Sequence, residues 1–218
     1  MVRAWNELWQ LRADLYAFFG NSMLKTMTIK TAMGLDPSFW EQLPIEASNE
    51  FLQTGVVDLI ACGRALEPLG REKAVERVAI EYTRLFIGPA APAAPPWESL
   101  YRAGSTVLFG QPTFEMRKLF AQVGVEASAE SHQFEDHLGF ELLYLGVNSA
   151  HFATVAPSSD SVLEQQEFIR SHPLSFIEPL LTKAREAATV GYYPALIQLV
   201  RGYLLWDLTV LEGYRAQQ

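Results

Sequence analysis

Cysteine is almost missing from the 218 residues. Cys62 stands alone, which excludes an internal disulfide and any thiolate cluster for zinc or iron–sulfur. It lies in the apolar run VVDLIACGRAL and reads as a small buried thiol. Positive charge is scarce too: 17 Lys and Arg face 25 Asp and Glu, a formal charge of −8 that disfavours a general nucleic-acid binder. Long apolar runs are also lacking. The most apolar stretch, YYPALIQLVRGYLLWDLTVL, is interrupted by Arg201 and Asp207 and falls short of the roughly 18 residues that a membrane span needs. The opening segment MVRAWNELWQLRADLYAFF carries acids and polar residues throughout, unlike an export signal. A cytoplasmic protein without stable membrane insertion is expected. Catalytic signatures are missing as well: the chain has no Gly-x-Ser-x-Gly elbow, no Gly-x-x-x-x-Gly-Lys phosphate loop and no Gly-x-Gly-x-x-Gly.

Helical periodicity is what the sequence has in quantity. In EKAVERVAIEYTRLF, apolar groups at Val75, Val78, Ala79, Tyr82, Leu85 and Phe86 step by three and four and form one stripe. Met116, Leu119, Phe120 and Val123 repeat the pattern, as do Phe134, Leu138, Leu142 and Leu145. SVLEQQEFIR opens with Ser161 and Glu164 in capping-box spacing. Two longer helices are predicted over about Ser175–Ala188, with Pro179 in its first turn, and about Ala195–Leu211. A strand reading is left only Thr106–Phe109, since no period-two alternation or hairpin turn is sustained elsewhere. The expectation is an all-α, single-domain helical bundle over residues 1–218 with a Pro-rich loop. The alternative is two small domains linked by PAAPAAPP.

That loop is flanked by large apolar groups, Tyr82, Leu85 and Phe86 before it and Trp97 and Tyr101 after it. Proline fixes φ and removes a donor, so the stretch cannot be helical and favours extended geometry. A spacer has no use for such flanks, whereas a loop folded back on a helical body uses them as anchors or as a docking surface. A second group, HQFEDHLGFELLYL, sets Asp136 beside His137 and Glu141 one turn further on. A solvated helix face is the plain reading of these acids. The chemical one is a metal site from His132, Asp136, His137 and Glu141, although the Glu-x-x-His pairs of carboxylate-bridged bundle metals are lacking.

EYTRLFIGP…PPWESLY and EDHLGFELLYL together resemble the TorD/DmsD family of redox-enzyme maturation chaperones, to which nitrate-reductase assembly chaperones are more distantly related. QQEFIRSHPLSFIEPLLTKAREA and the aromatic-rich last helix are similar in kind. Where the family often carries Glu-Pro before Glu-Asp-His, this chain has Gln133-Phe134. The resemblance implies a non-catalytic cytoplasmic chaperone without metal or cofactor. Its partner would be the twin-arginine signal peptide of a molybdopterin oxidoreductase catalytic subunit, held until cofactor insertion and before export. The implied peptide-binding residues are Tyr82, Leu85, Phe86, Pro96, Trp97, Glu98, Ser99, Asp136 and His137. An apolar groove would take the leader's middle, and Glu98, Glu135 and Asp136 would meet its arginines. The alternatives are an assembly chaperone for a membrane-anchored nitrate-reductase-type enzyme and, in another class, a helical metalloenzyme.

Overall fold

A computed structural model of the chain describes residues 5–45, 48–89, 91–102, 108–124 and 133–217. Among these the chain is all-α, and the one β feature is an isolated antiparallel bridge between Trp97 and His137. The helices are α1 (Trp5–Leu24), α2 (Pro37–Glu41), α3 (Glu50–Leu66), α4 (Arg71–Tyr82), α5 (Gln111–Gln122), α6 (Leu138–Thr154), α7 (Ser159–Ser171), α8 (Pro173–Ala187) and α9 (Tyr192–Arg215). No helix among the described residues is long and apolar enough to cross a membrane. Cys62 is buried, and burial together with nearby Glu81 raises its thiol to about 12.

The chain forms two compact units, each discontinuous in sequence. One comprises Met1–Lys25, Pro96–Phe176 and Leu211–Gln218; the other comprises Thr26–Pro95 and Ile177–Val210. In the first, α1 and α6 run antiparallel at very close range. A Cβ on Gly20 would meet the Gly139 carbonyl oxygen at 2.7 Å, and one on Gly146 would meet the Ala13 carbonyl at 3.4 Å. The buried Tyr16, Phe19, Met23, Leu142 and Leu145 fill the space around this seam. In the second, α3 and α9 are antiparallel and equally close. Gly55 lies on the Leu199 backbone and Gly202 on the Leu52 backbone, while Asn49 Nδ2 donates to the Gly202 carbonyl at 3.0 Å.

Several expected boundaries shift for local reasons. The Ser161 start of α7 moves to Ser158, whose hydroxyl accepts from Ser161 N. Pro179 lies inside α8 beyond its first turn, because Pro173 takes the opening position where a missing N–H does least harm. The helix drawn through Phe134 begins only at Leu138, capped by the His137 ring. Of the segment left to a strand reading, residues 106 and 107 lie outside the described residues, and Phe109 stands at φ 70°.

Candidate functional site

The EYTRLF motif ends α4 in a π-helical turn, Thr83–Ile87. Single π turns widen a helix locally and recur at functional sites. Gly88 closes this one: its N–H reaches back to the Thr83 carbonyl at 2.6 Å with φ 65°, and a Cβ there would strike the Ala91 carbonyl oxygen. Any other residue at 88 meets both strain and collision. The proline stretch then folds back on the turn, Ala94 N donating to Leu85 O at 2.8 Å and Ala93 N to Arg84 O at 3.3 Å. Tyr82, Leu85 and Phe86 are buried in this unit, and the rings of Tyr82, Phe86 and Tyr193 lie 5.2–5.3 Å apart.

Glu81, which the sequence reading passed over, is fully buried at the end of the same helix. One of its oxygens accepts from Thr189 N, Val190 N and Gly191 N at 2.9, 2.5 and 2.7 Å, and the other accepts from Tyr193 N at 3.1 Å. These donors are the unpaired N–H groups at the entry to α9, where a carboxylate is also favoured by the helix dipole.

In the other unit, Pro96–Ser99 pairs with residues 136–138. Glu98 N donates to Asp136 O at 3.0 Å, and Leu138 N donates to Pro96 O at 2.8 Å. Asp136 is buried and committed: Oδ2 accepts from Ser99 N and Oδ1 from Thr113 Oγ1, both at 2.9 Å. His137 Nδ1 accepts from Gly139 N at 2.9 Å, which requires the neutral ring with its proton on Nε2. Burial lowers its pKa to about 3. Asp136 and His137 therefore belong to the buried turn before α6 and not to a solvated helix face. His132, the remaining member of the suggested metal set besides Glu141, lies outside the described residues.

The neutral His137 predicts a pH effect. Its folded pKa lies below the ordinary 6.5, so its contribution is fully present above pH 6.5 and is lost as pH falls toward 3. His137→Asn keeps a cap acceptor for α6 and removes the titration. The slope of stability against pH in that window should flatten in urea melts. Equal slopes in the two proteins would refute the assignment.

Glu98, also buried, is held by Arg102 at 2.5 Å on Oε1 and by His172 Nδ1 at 2.8 Å on Oε2. Burial pushes its carboxyl up, but the His172 hydrogen bond and charge, with Arg102, bring it below the usual range. His172 escaped the sequence reading. Its only signal was the Ser-His-Pro just ahead of a helix. Glu141 lies behind, fully buried, with no hydrogen-bond donor at either oxygen. Burial first, then the charge of Glu98 and a hydrogen bond with it, then the charge of Asp136, raise its pKa well above normal.

Beside this frame, on the surface of the same unit, sits an aromatic group that the sequence reading did not single out. Phe109 and Phe114 are 39% and 54% exposed, with rings 4.9 Å apart edge to face, and Phe134 lies 5.4 Å from Phe109. Arg117 lies over Phe109 at 5.3 Å and donates to Glu135 at 2.8 Å. Phe109 holds a left-handed φ, which costs a side-chain-bearing residue on the order of 1–3 kcal/mol.

The chain matches the family described as nitrate reductase delta subunit over residues 49–182. It is 26% identical to the chaperone protein TorD of Vibrio parahaemolyticus, over 97% of this chain and 98% of that protein. It is 28% identical to TorD of Shewanella pealeana, over 95% and 93%. To the Tat proofreading chaperone DmsD of Salmonella paratyphi A it is 30% identical, over 55% of each chain. These relatives are named as chaperones, not as enzymes.

Proposed function

Since this chain belongs to the nitrate reductase delta subunit family, among its TorD and DmsD chaperones, we propose that it is a redox-enzyme maturation chaperone acting as one 218-residue domain in the cytoplasm. Its partner in this reading is the twin-arginine signal peptide of a molybdopterin oxidoreductase catalytic subunit, held until the cofactor is inserted and before export. One observation carries the proposal: the two motif segments that mark the family, Pro96–Ser99 and Asp136–His137, are joined by backbone pairing into one buried frame.

In this reading the frame leaves other groups to meet a peptide. Glu98 and Asp136 are buried and already partnered within the chain. Trp97, 9% exposed, makes the bridge to His137. In this proposal they, with Pro96, Ser99 and His137, act by holding the surface from within. In the other unit Tyr82, Leu85 and Phe86 do the same for the π turn that leaves Ile87 exposed. The contact itself falls to neighbours that reach the surface. Phe109 and Phe114 suit the apolar middle of a leader. Glu135 suits an arginine, because its Arg117 partner is half exposed and such pairs contribute only about 0.2–1 kcal/mol. The net charge of −8 favours approach of a basic peptide.

Titration of a labelled synthetic twin-arginine leader into the purified chain tests this. Phe114→Ala should weaken binding about tenfold, the scale of an aromatic anchor, and Trp97→Ala by a similar factor through loss of the frame beneath the contact. Glu98→Gln should cost less than Trp97→Ala. Glu135→Gln should reduce the preference for Arg-Arg over Gln-Gln leaders by roughly two- to fivefold, as for a single surface pair. A ranking with the acids above the aromatics would overturn the apolar-contact argument.

The family description favours a second reading, an assembly chaperone for a membrane-anchored nitrate-reductase-type enzyme. A pull-down from native cytosol with mass spectrometry separates the two. The first predicts an oxidoreductase precursor with its leader uncleaved. A leaderless reductase subunit would establish the second.

A further inference from the structure

We infer that Glu98, Glu141 and His172 form a buried binding site for one divalent first-row cation, of which Zn²⁺ is the best-matched example. The three residues come from distant parts of the sequence: the segment after the proline loop, the first turn of α6 and the residue that ends α7. Each offers one ligand atom, and these atoms lie within 4.8 Å of one another. Small side-chain rotations bring such a set to the roughly 2.0–2.2 Å at which zinc takes carboxylate oxygen and imidazole nitrogen. Two carboxylates and one imidazole are hard to borderline ligands, which suit Zn²⁺ or Mn²⁺ better than a soft ion.

The second observation is Glu141 itself. It is fully buried, offers an oxygen to this cluster and has no N–H or hydroxyl donor at either oxygen; the group it meets is the Glu98 carboxyl, with which it can hydrogen-bond only by holding a proton. Two buried carboxylates that face each other need a proton or a cation between them. A third consideration is charge. Glu98, Glu141 and Asp136 bring three carboxylates together, and among the described residues around Glu98 and Glu141 the fixed cation is Arg102, 38% exposed at its side chain. With His172 neutral, as a metal ligand must be, two negative charges remain, and one dication balances them. Arg102 also donates to the Ser171 carbonyl at 3.1 Å, so its guanidinium spans the solvent side of the cluster. Two protons, on Glu141 and His172, balance the same charge and are the competing occupant.

Neither the cluster nor its ligands coincide with the His132, Asp136, His137 and Glu141 set suggested by spacing, apart from Glu141. Sequence separation hid it.

The test is zinc binding by the tag-free, chelator-treated full chain, followed by equilibrium dialysis and by the melting midpoint. The wild type should take up one equivalent and melt several degrees higher in zinc. Glu141→Gln preserves shape and should lower affinity by at least about 100-fold, beyond the 10–100-fold that supporting residues cost. Its zinc-dependent shift should vanish. His172→Gln is the second variant, in case the first fails to fold, and should behave alike. His151→Ala, at an exposed histidine, should leave binding unchanged. Failure of the wild type to bind saturably, or equal binding by the Glu141 and His172 variants, overturns the site and leaves protons as the balancing charge. Neither result bears on leader binding, which is read by a separate titration.

Discussion

Glu81→Ala is expected to lower the melting midpoint by about 10 °C. The carboxylate accepts four backbone N–H groups at the entry to α9, and alanine leaves all four without an acceptor inside the fold. Hydrogen bonds to a charged group contribute roughly 1.5–3 kcal/mol each, but they share one carboxylate and some of the freed donors reach water. A net loss of about 3–5 kcal/mol follows, and each kcal/mol moves a chain of this size by roughly 2–4 °C. Glu81→Gln should recover part of the loss, since its amide keeps one oxygen and turns the other position into a donor facing a donor. Differential scanning calorimetry of the three proteins decides it. A shift under about 2 °C for the alanine variant would mean that α9 is held in place by its packing alone.

The second large effect is expected at Asp136. Asp136→Ala strips Ser99 N and Thr113 Oγ1 of their shared acceptor in a fully buried setting, at a cost of about 2–4 kcal/mol. Asp136→Asn should lie within about 1 kcal/mol of wild type by the same scale. Its amide oxygen can take the Ser99 N–H, and its amide nitrogen can donate to the threonine hydroxyl, which rotates to accept. The pair is informative about function as well as stability. If the asparagine variant folds normally and still prefers Arg-Arg over Gln-Gln leaders, Asp136 is a strut of the frame. Loss of that preference in a stable asparagine variant would restore Asp136 to the arginine contact. Urea unfolding combined with the leader titration reads both.

Much of the fold was legible because helical periodicity is a local signal. The stripes through Val75–Phe86 and Met116–Phe120 needed only neighbours three and four residues apart. The boundaries were less legible where a cap competed with the stripe, as at Ser158 and His137. The π turn at Thr83–Ile87 was invisible, since an extra residue per turn leaves no mark in composition. For the site, the motif segments were found by resemblance, and their pairing explains why they occur together. Their chemistry was harder to foresee. Spacing alone presented Asp136 and His137 as polar residues on an open face, and only tertiary burial shows them as internal acceptors. Glu81 and His172 were missed for a related reason: their partners lie far along the chain, at Thr189–Tyr193 and at Glu98.

The seam between α1 and α6 has a consequence for how the protein is made. α1 is complete at Leu24, yet the helix that packs on Trp9 and Tyr16 starts only at Leu138. At a synthesis rate of roughly 5–20 residues per second, that first helix leaves the ribosome many seconds before its cover exists. During this interval its aromatic face is available to anything that binds exposed apolar helices. A member of a chaperone family would therefore depend, for the first moments of its own existence, on a guardian in turn.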